Sequence, residues 1–121
     1  MDRGKPQDFD RLARALVVSA RGLAAAWREE SAFRQELAVV AVAAPLGLWL
    51  GRTGVERALL VAPLLLVLLV ELLNSSIEAA VDRVGLERNE LAGMAKDCGS
   101  AAVLLSLLLC GTCWLLVLLD R

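Results

Sequence analysis

The sequence predicts an all-α integral membrane protein, with three transmembrane helices and an amphipathic surface helix at the N-terminus. The chain has 121 residues, enough for a single domain, and 58% of them are hydrophobic, whereas soluble domains average roughly 45–50%. Two almost uncharged stretches reach the roughly 20 residues that a helix needs to span a bilayer. Trp27, Trp49 and Trp114 fall near the ends of apolar segments, where interfacial tryptophans occur.

The first element, residues 7–30, is predicted to be an amphipathic helix on the cytoplasmic leaflet. Its apolar residues recur at helical spacing, while Arg14, Arg21 and Arg28 share the opposite side. Arginines in that position would lie over anionic head groups. The segment is not a signal peptide, because it lacks an uninterrupted apolar core followed by a cleavage site. Two roles remain open for it, a membrane anchor and a wall of a site at the interface.

Three transmembrane helices are predicted to follow, at residues 31–50, 58–81 and 101–119. The last of these is uncharged, and the second is apolar except toward its end. The apolar part of the first, Leu37 to Leu50, has 14 residues. It would cover roughly 21 Å of a roughly 30 Å hydrocarbon layer, so this helix is expected to begin near Ser31.

Two connections join the predicted spans. Gly51 to Gly54 is typical of a tight external turn, and Gly85 separates the second span from a connection that occupies residues 82–100. Seven basic residues precede Leu37, two lie in the first connection and three in the second. The excess of positive charge predicts that the N-terminus and residues 82–100 are cytoplasmic. The net charge of −1 argues against a nucleic-acid partner.

Several common site types are excluded by motif. Cys110 and Cys113 form a C-x-x-C pair, but they lie within an apolar helix and lack the context of a redox domain. A zinc site is not expected, because the chain has no histidine and no second cysteine pair. The glycine-rich phosphate loops of soluble nucleotide-binding enzymes are missing as well.

A polar stripe runs through the second predicted span, in the segment VELLNSSIEAAVDR from Val70 to Arg83. Glu71 falls within the inner leaflet, and Asn74, Ser75 and Glu78 follow at helical spacing on the same face. An ionisable group in hydrocarbon costs a few kcal/mol, so it favours a functional role. The alternative is a packing clasp, in which Asn74 and Ser75 hydrogen-bond to a neighbouring helix.

Carboxylates gather at one membrane interface and predict Mg²⁺ binding. They are Glu29 and Glu30 at the end of the amphipathic helix and Glu78 and Asp82 at the end of the second span. Few carboxylates, completed by substrate phosphates, are the usual way in which proteins hold Mg²⁺.

Lys96 and Asp97 open the third span from the same side, so the set suggests phosphoryl transfer to a lipid hydroxyl. Glu71, the only acid expected at hydroxyl depth, would be the base. Simpler roles remain open: an ion pair between Glu30 and Arg34, an interfacial anchor for Lys96, and a helix cap for Asp97.

Three segments resemble the small prokaryotic diacylglycerol kinases, and the likeness extends from about Phe9 to Leu119. They are VELLNSSIEAAVDR, NELAGMAKDCGSAAV (Asn89 to Val103) and GLAAAWREESAFRQE (Gly22 to Glu36). The resemblance implies a homotrimer of three-span subunits in the bacterial inner membrane. It also implies the phosphorylation of diacylglycerol to phosphatidic acid with ATP and Mg²⁺.

The same resemblance implies roles for individual residues. Glu71 matches the catalytic base, Asn74 a residue of the catalytic stripe, and Glu30 and Glu78 the metal-binding glutamates. The ATP-binding positions would be Arg11, Glu30, Glu78, Glu87, Arg88, Asn89, Lys96 and Asp97. The lipid-site positions would be Gln35, Arg57, Glu71 and Ser100. Asn89 replaces a frequent histidine and Met94 a frequent basic residue, so the nucleotide contacts depart from the family pattern.

Two other functions and one assembly question follow from these observations. An undecaprenol kinase of the same family would need the same catalytic groups and a different groove. A non-enzymatic proton or ion conduit would use Glu71 as a relay, but conduits need polar groups along the whole span, and the outer halves are apolar. A bundle of three helices is expected to be too thin to shield Glu71 alone, so another subunit should complete the site.

Overall fold

The computed structural model describes residues 6–85 and 89–121, which form four helices and no strand. These helices are α1 (Pro6–Glu29), α2 (Ser31–Leu50), α3 (Gly54–Val84) and α4 (Glu90–Leu119). Helices α2, α3 and α4 are each long and apolar enough to cross a membrane. The all-α prediction with three possible spans is therefore confirmed for the described residues.

The junction between α1 and α2 is a single residue. Glu30 adopts an extended conformation, with φ −120° and ψ 107°, and this interrupts the helix. The guanidinium of Arg34 donates to the carbonyl oxygens of Trp27 at 2.7 Å and Arg28 at 3.2 Å. These carbonyls at the end of α1 lack helical partners, so Arg34 stabilises the turn from α1 into α2.

The turn between α2 and α3 is closed by side chains. Thr53 caps α3 by accepting a hydrogen bond from the Glu56 amide at 3.1 Å. Arg57 donates through Nε to the carbonyl of Leu48 at 3.0 Å, and thereby caps the end of α2. Arg121, at the C-terminus, forms an ion pair with Glu56 at 3.2 Å. The end of α4 is therefore held against this turn.

Helix α3 is the centre of the bundle, because it packs against α4 and α2 and also touches α1. Its buried residue Leu60 lies where the three long helices meet. A Cβ on Gly47 of α2 would lie 3.0 Å from the Leu60 Cβ, so glycine permits this close approach. Trp114 of α4 donates through Nε1 to the Leu60 carbonyl at 2.9 Å. These two contacts connect the three long helices near the first turns of α3.

The outer surface of the long helices is apolar. Leu105 and Leu116 on α4 are each 64% exposed, and Leu65 on α3 is 57% exposed. Contiguous exposure of this kind is unfavourable in water and requires an apolar surrounding or a partner. It agrees with the assignment of these helices to a membrane.

Candidate active site

The polar stripe of α3 faces the interior of the bundle. Glu71 is 5% exposed and Asn74 is 9% exposed, which makes them two of the three buried polar residues of the described chain. The Asn74 amide donates through Nδ2 to the Glu78 Oε1 at 3.4 Å, one helical turn further on. Ser75 and Glu78 are half-buried. The stripe therefore leads from a buried carboxyl group toward the more exposed end of α3.

Glu36 of α2 meets Glu71, and sequence reasoning missed it. The two carboxyl groups share a hydrogen bond, while the second oxygen of Glu36, Oε2, is buried without a partner. Helical spacing could have identified Glu36, because it follows the buried Phe33 by three residues and precedes the buried Val40 by four. This spacing places the acid on the inward face of α2, whereas hydropathy alone left it at the interface.

Glu30 lies beside an open cleft between α1 and α3. The cleft measures about 410 Å³, and its polar lining comes from Ser19, Glu29, Glu30, Ser75 and Ser76. Both Glu30 and Glu78 lie close enough to Glu71 to act on it electrostatically. Because Arg34 is engaged with carbonyls of α1, the simpler reading of Glu30 as its ion-pair partner is not realised among the described residues.

The carboxylates suit a cation that would take only some of its ligands from the protein. Nowhere in residues 6–85 and 89–121 do three Asp, Glu, His or Cys side chains lie close enough together to bind a metal by themselves. Glu30 and Glu78 come from separate elements, and both act electrostatically on the buried Glu71. Two charged oxygen donors suit Mg²⁺, which commonly takes its remaining ligands from water and phosphate.

Lys96 forms an ion pair with Asp82 across α3 and α4, with Nζ 2.6 Å from Oδ1. The two side chains are 44% and 51% exposed, so the pair contributes little to stability. Glu78 also acts electrostatically on Lys96. This lysine therefore lies beside the exposed end of the stripe. Asp97 is inside α4, seven residues after its first residue, Glu90, and is not its cap.

The cap of α4 is Asn89, which accepts a hydrogen bond from the Leu91 amide at 2.8 Å. Met94, the second departure from the family pattern, is exposed on the same helix. Glu87 and Arg88, predicted to contact ATP, lie outside the described residues. The structure thus gives a local role to Asn89 that does not depend on nucleotide.

Two other predicted site residues, Arg11 and Arg57, lie far from the polar stripe along their helices. Arg11 is exposed and lies roughly 28 Å from Glu30 along α1, at 1.5 Å per residue. Arg57 lies roughly 21 Å from Glu71 along α3 and is engaged at the α2 to α3 turn. Gln35 and Ser100 are exposed, although each adjoins a residue that contacts the stripe.

Comparison with known proteins gives a consistent result. Residues 17–118 match the family described as prokaryotic diacylglycerol kinase. The chain is 46% identical over 110 residues to a diacylglycerol kinase of Escherichia coli, covering 91% of this chain and 90% of the relative. It is 47% identical to that of Pseudomonas aeruginosa, over 91% of this chain and 89% of the relative. For the diacylglycerol kinase of Haemophilus influenzae, the identity is 42%, over 91% and 93% respectively. The buried acid stripe and these similarities over most of the length agree, and the chain belongs to the prokaryotic diacylglycerol kinase family.

Proposed function

We propose that this protein phosphorylates diacylglycerol with ATP to give phosphatidic acid, and that Glu71 is the general base. The observation that carries the assignment is the burial of Glu71, a residue only 5% exposed within helices apolar enough to span a membrane. The family and the relatives named diacylglycerol kinase support the same activity.

The reaction assigns a distinct task to the buried carboxylate. The primary hydroxyl oxygen of the lipid forms a bond to the γ-phosphorus of ATP, the bond from that phosphorus to the bridging oxygen breaks, and ADP leaves. Glu71 accepts the hydroxyl proton as the new bond forms. Because Glu36 and Glu71 share a hydrogen bond, one carboxyl group of the pair carries a proton. Base catalysis requires that Glu71 be the unprotonated partner.

Glu30 and Glu78 would hold Mg²⁺ together with phosphate oxygens of ATP. A metal bound there would offset negative charge on the transferred phosphoryl group. The Asn74 amide supports this arrangement from the protein side, because it donates to Glu78. Holding the Glu78 carboxylate in one orientation reduces the ordering that metal binding requires.

The nucleotide would lie across the exposed end of the stripe, where Lys96 and Asp97 project from α4. Lys96 pairs with Asp82 in the protein alone, and phosphate oxygens would compete for the same ammonium group. Asn89 and the neighbouring Glu87 and Arg88 would lie along the nucleotide. Arg11 would approach from another subunit, because α1 carries it away from the Glu30 of its own chain.

The assembly that we propose is a homotrimer in the bacterial inner membrane. Its N-terminus and the connection between α3 and α4 would face the cytoplasm, where ATP is available. The α1 helix would lie on that leaflet, since Phe9, Leu12 and Leu16 are exposed apolar residues on it. Gln35, Arg57 and Ser100 would contact the lipid substrate at different depths.

The test is a phosphoryl-transfer assay with γ-labelled ATP in mixed micelles. Diacylglycerol, undecaprenol and a lipid-free control are supplied separately to the wild-type chain and to Glu71→Gln. We expect labelled phosphatidic acid from the wild-type protein with diacylglycerol, and much less from the variant. Labelling of undecaprenol alone would assign the chain to the other acceptor. Absence of any labelled lipid with a folded protein would refute the kinase assignment.

A further inference from the structure

Gly99 of α4 is the residue against which the Asn74 amide rests. It is one of two buried residues of that helix, with Ser106. A Cβ built on Gly99 would clash with the Asn74 Oδ1 and would lie 3.2 Å from the Asn74 Cγ. The third nearest atom is the Asn74 Cβ at 3.9 Å, an ordinary contact. The closest approach to Gly99 is therefore made by this side-chain amide.

The contact determines the direction of the Asn74 amide. Oδ1 faces Gly99 and is buried without a hydrogen-bond partner, while Nδ2 donates to Glu78. The two atoms belong to one planar group, so displacing the oxygen also displaces the donor. An unpartnered buried oxygen is unfavourable. The oxygen stays in this position despite the cost, which indicates that the hydrogen bond from Nδ2 to Glu78 determines where the amide lies.

We propose that Gly99 is a positioning residue, whose missing side chain lets the Asn74 amide lie against α4 and orient the Glu78 carboxylate. The inference rests on the proposed function of Glu78 as a metal ligand. A side chain at position 99 pushes the amide away from α4, and the carboxylate loses its donor. The effect reaches the metal through Asn74, because Gly99 itself has no group that touches substrate or metal.

A spectroscopic measurement tests the geometry without activity. The chain contains two asparagines, Asn74 and Asn89, so selective ¹⁵N-asparagine labelling yields two side-chain amide signals. Gly99→Ala should shift the Asn74 side-chain signal of the metal-free protein and leave that of Asn89 unchanged. Gly93→Ala is the matched control on α4, because a Cβ at position 93 would meet nothing within 4 Å. An unshifted Asn74 signal in Gly99→Ala would overturn the proposal.

Kinetics then separate positioning from simple packing. Gly99→Ala should raise the Mg²⁺ concentration for half-maximal activity by about tenfold, the scale of one hydrogen bond to a charged group. The KM for diacylglycerol should not change, and Gly93→Ala should behave as wild type. A lowered unfolding temperature with an unchanged Mg²⁺ requirement would assign Gly99 to helix packing and overturn the proposal.

A double variant keeps the test decisive if Gly99→Ala assembles poorly. In an Asn74→Ala background the closest atoms to position 99 are gone, so the added methyl group is accommodated. If Gly99 acts only through Asn74, Gly99→Ala should cause no further change in residual activity or Mg²⁺ requirement in that background. A further loss would show an independent role and contradict the proposal. Failure of the kinase assay with wild-type protein would instead refute the proposed function, while the NMR result would stand.

Discussion

At the scale of single residues, the site depends on carboxyl groups that the bundle holds close together. Glu71 shares a hydrogen bond with Glu36 and lies in the electrostatic range of Glu30 and Glu78. Glu71 is repelled by these neighbouring acids when they are ionised, and the arrangement has a cost unless protons or cations offset the charge. Under the proposed function, the same arrangement would supply a base and part of a metal site.

The first prediction concerns the base. Glu71→Gln should lower turnover by about 10²-fold or more, because general-base catalysis contributes on that scale. The variant should retain helical content and oligomeric size, since glutamine has a similar shape and can still hydrogen-bond to Glu36. Turnover is measured with diacylglycerol and saturating ATP. Near wild-type turnover in a folded variant would remove Glu71 from the mechanism.

The second prediction concerns the metal. Glu30→Gln and Glu78→Gln should each raise the Mg²⁺ concentration for half-maximal activity by about tenfold or more, since even outer groups of a metal site act on this scale. Glu78 should be the more sensitive, because the Asn74 amide also orients it. A Mg²⁺ titration at fixed ATP measures the effect.

Asp120→Asn is the matched control for this titration. It removes one carboxylate at the C-terminal end of α4, beside the turn that Arg121 contacts and remote from the stripe. We expect its Mg²⁺ dependence to match that of the wild type. If both glutamine variants also match the wild type, the two glutamates do not share a metal.

At the scale of helices, hydropathy locates the membrane part of an element and not its ends. The uncharged residues 101–119 predict a span, yet α4 begins at Glu90, because Asn89 caps it and polar residues such as Lys96 are compatible with a helix outside the hydrocarbon layer. Similarly, α2 begins at Ser31, because Glu30 interrupts the backbone at that point. What sequence alone did not reveal was that Glu36, the one acid of α2, points inward.

That omission has a physical reason. Arg34, Gln35 and Glu36 are adjacent and polar, so an average over the segment assigns all three to the interface. In the helix they point in different directions: Arg34 reaches the end of α1, Gln35 is exposed and Glu36 meets Glu71. The stripe on α3 was recognisable because its polar residues are surrounded by leucine and valine.

The third prediction is the orientation of the helices. In a variant without Cys98, Cys110 and Cys113, a cysteine at Arg52 should react with an impermeant maleimide in intact cells. A cysteine at Glu90 should react only after permeabilisation, as the distribution of basic residues predicts. Arg52 is chosen over Thr53 because the Thr53 hydroxyl caps α3. The opposite pattern would separate Glu78 from cytosolic ATP.

At the scale of the whole molecule, one chain buries Glu71 without help. This corrects the expectation that three helices are too thin to shield it, because α2 supplies Glu36 and the bundle leaves Glu71 only 5% exposed. Burial therefore gives no argument for a shared site. The remaining argument for a shared site is distance within one chain. Arg11 is exposed and lies roughly 28 Å along α1 from Glu30. Lys96, in contrast, is close enough to Glu78 of the same chain to interact with it electrostatically.

The final prediction follows from the different distances of Arg11 and Lys96 from the polar stripe of their own chain. If Arg11 serves the site of a neighbouring subunit, mixing Glu71→Gln subunits with Arg11→Ala subunits should restore activity, because some sites then receive both intact groups. Mixing Glu71→Gln with Lys96→Ala should restore none, because both groups of a site come from the same chain and every site lacks one of them. Each pair is co-expressed with different affinity tags, purified through both tags, and assayed against either variant alone. Mixed oligomers that stay inactive with Arg11→Ala would show that each subunit carries its own complete site, and restoration with Lys96→Ala would place the boundary between α3 and α4.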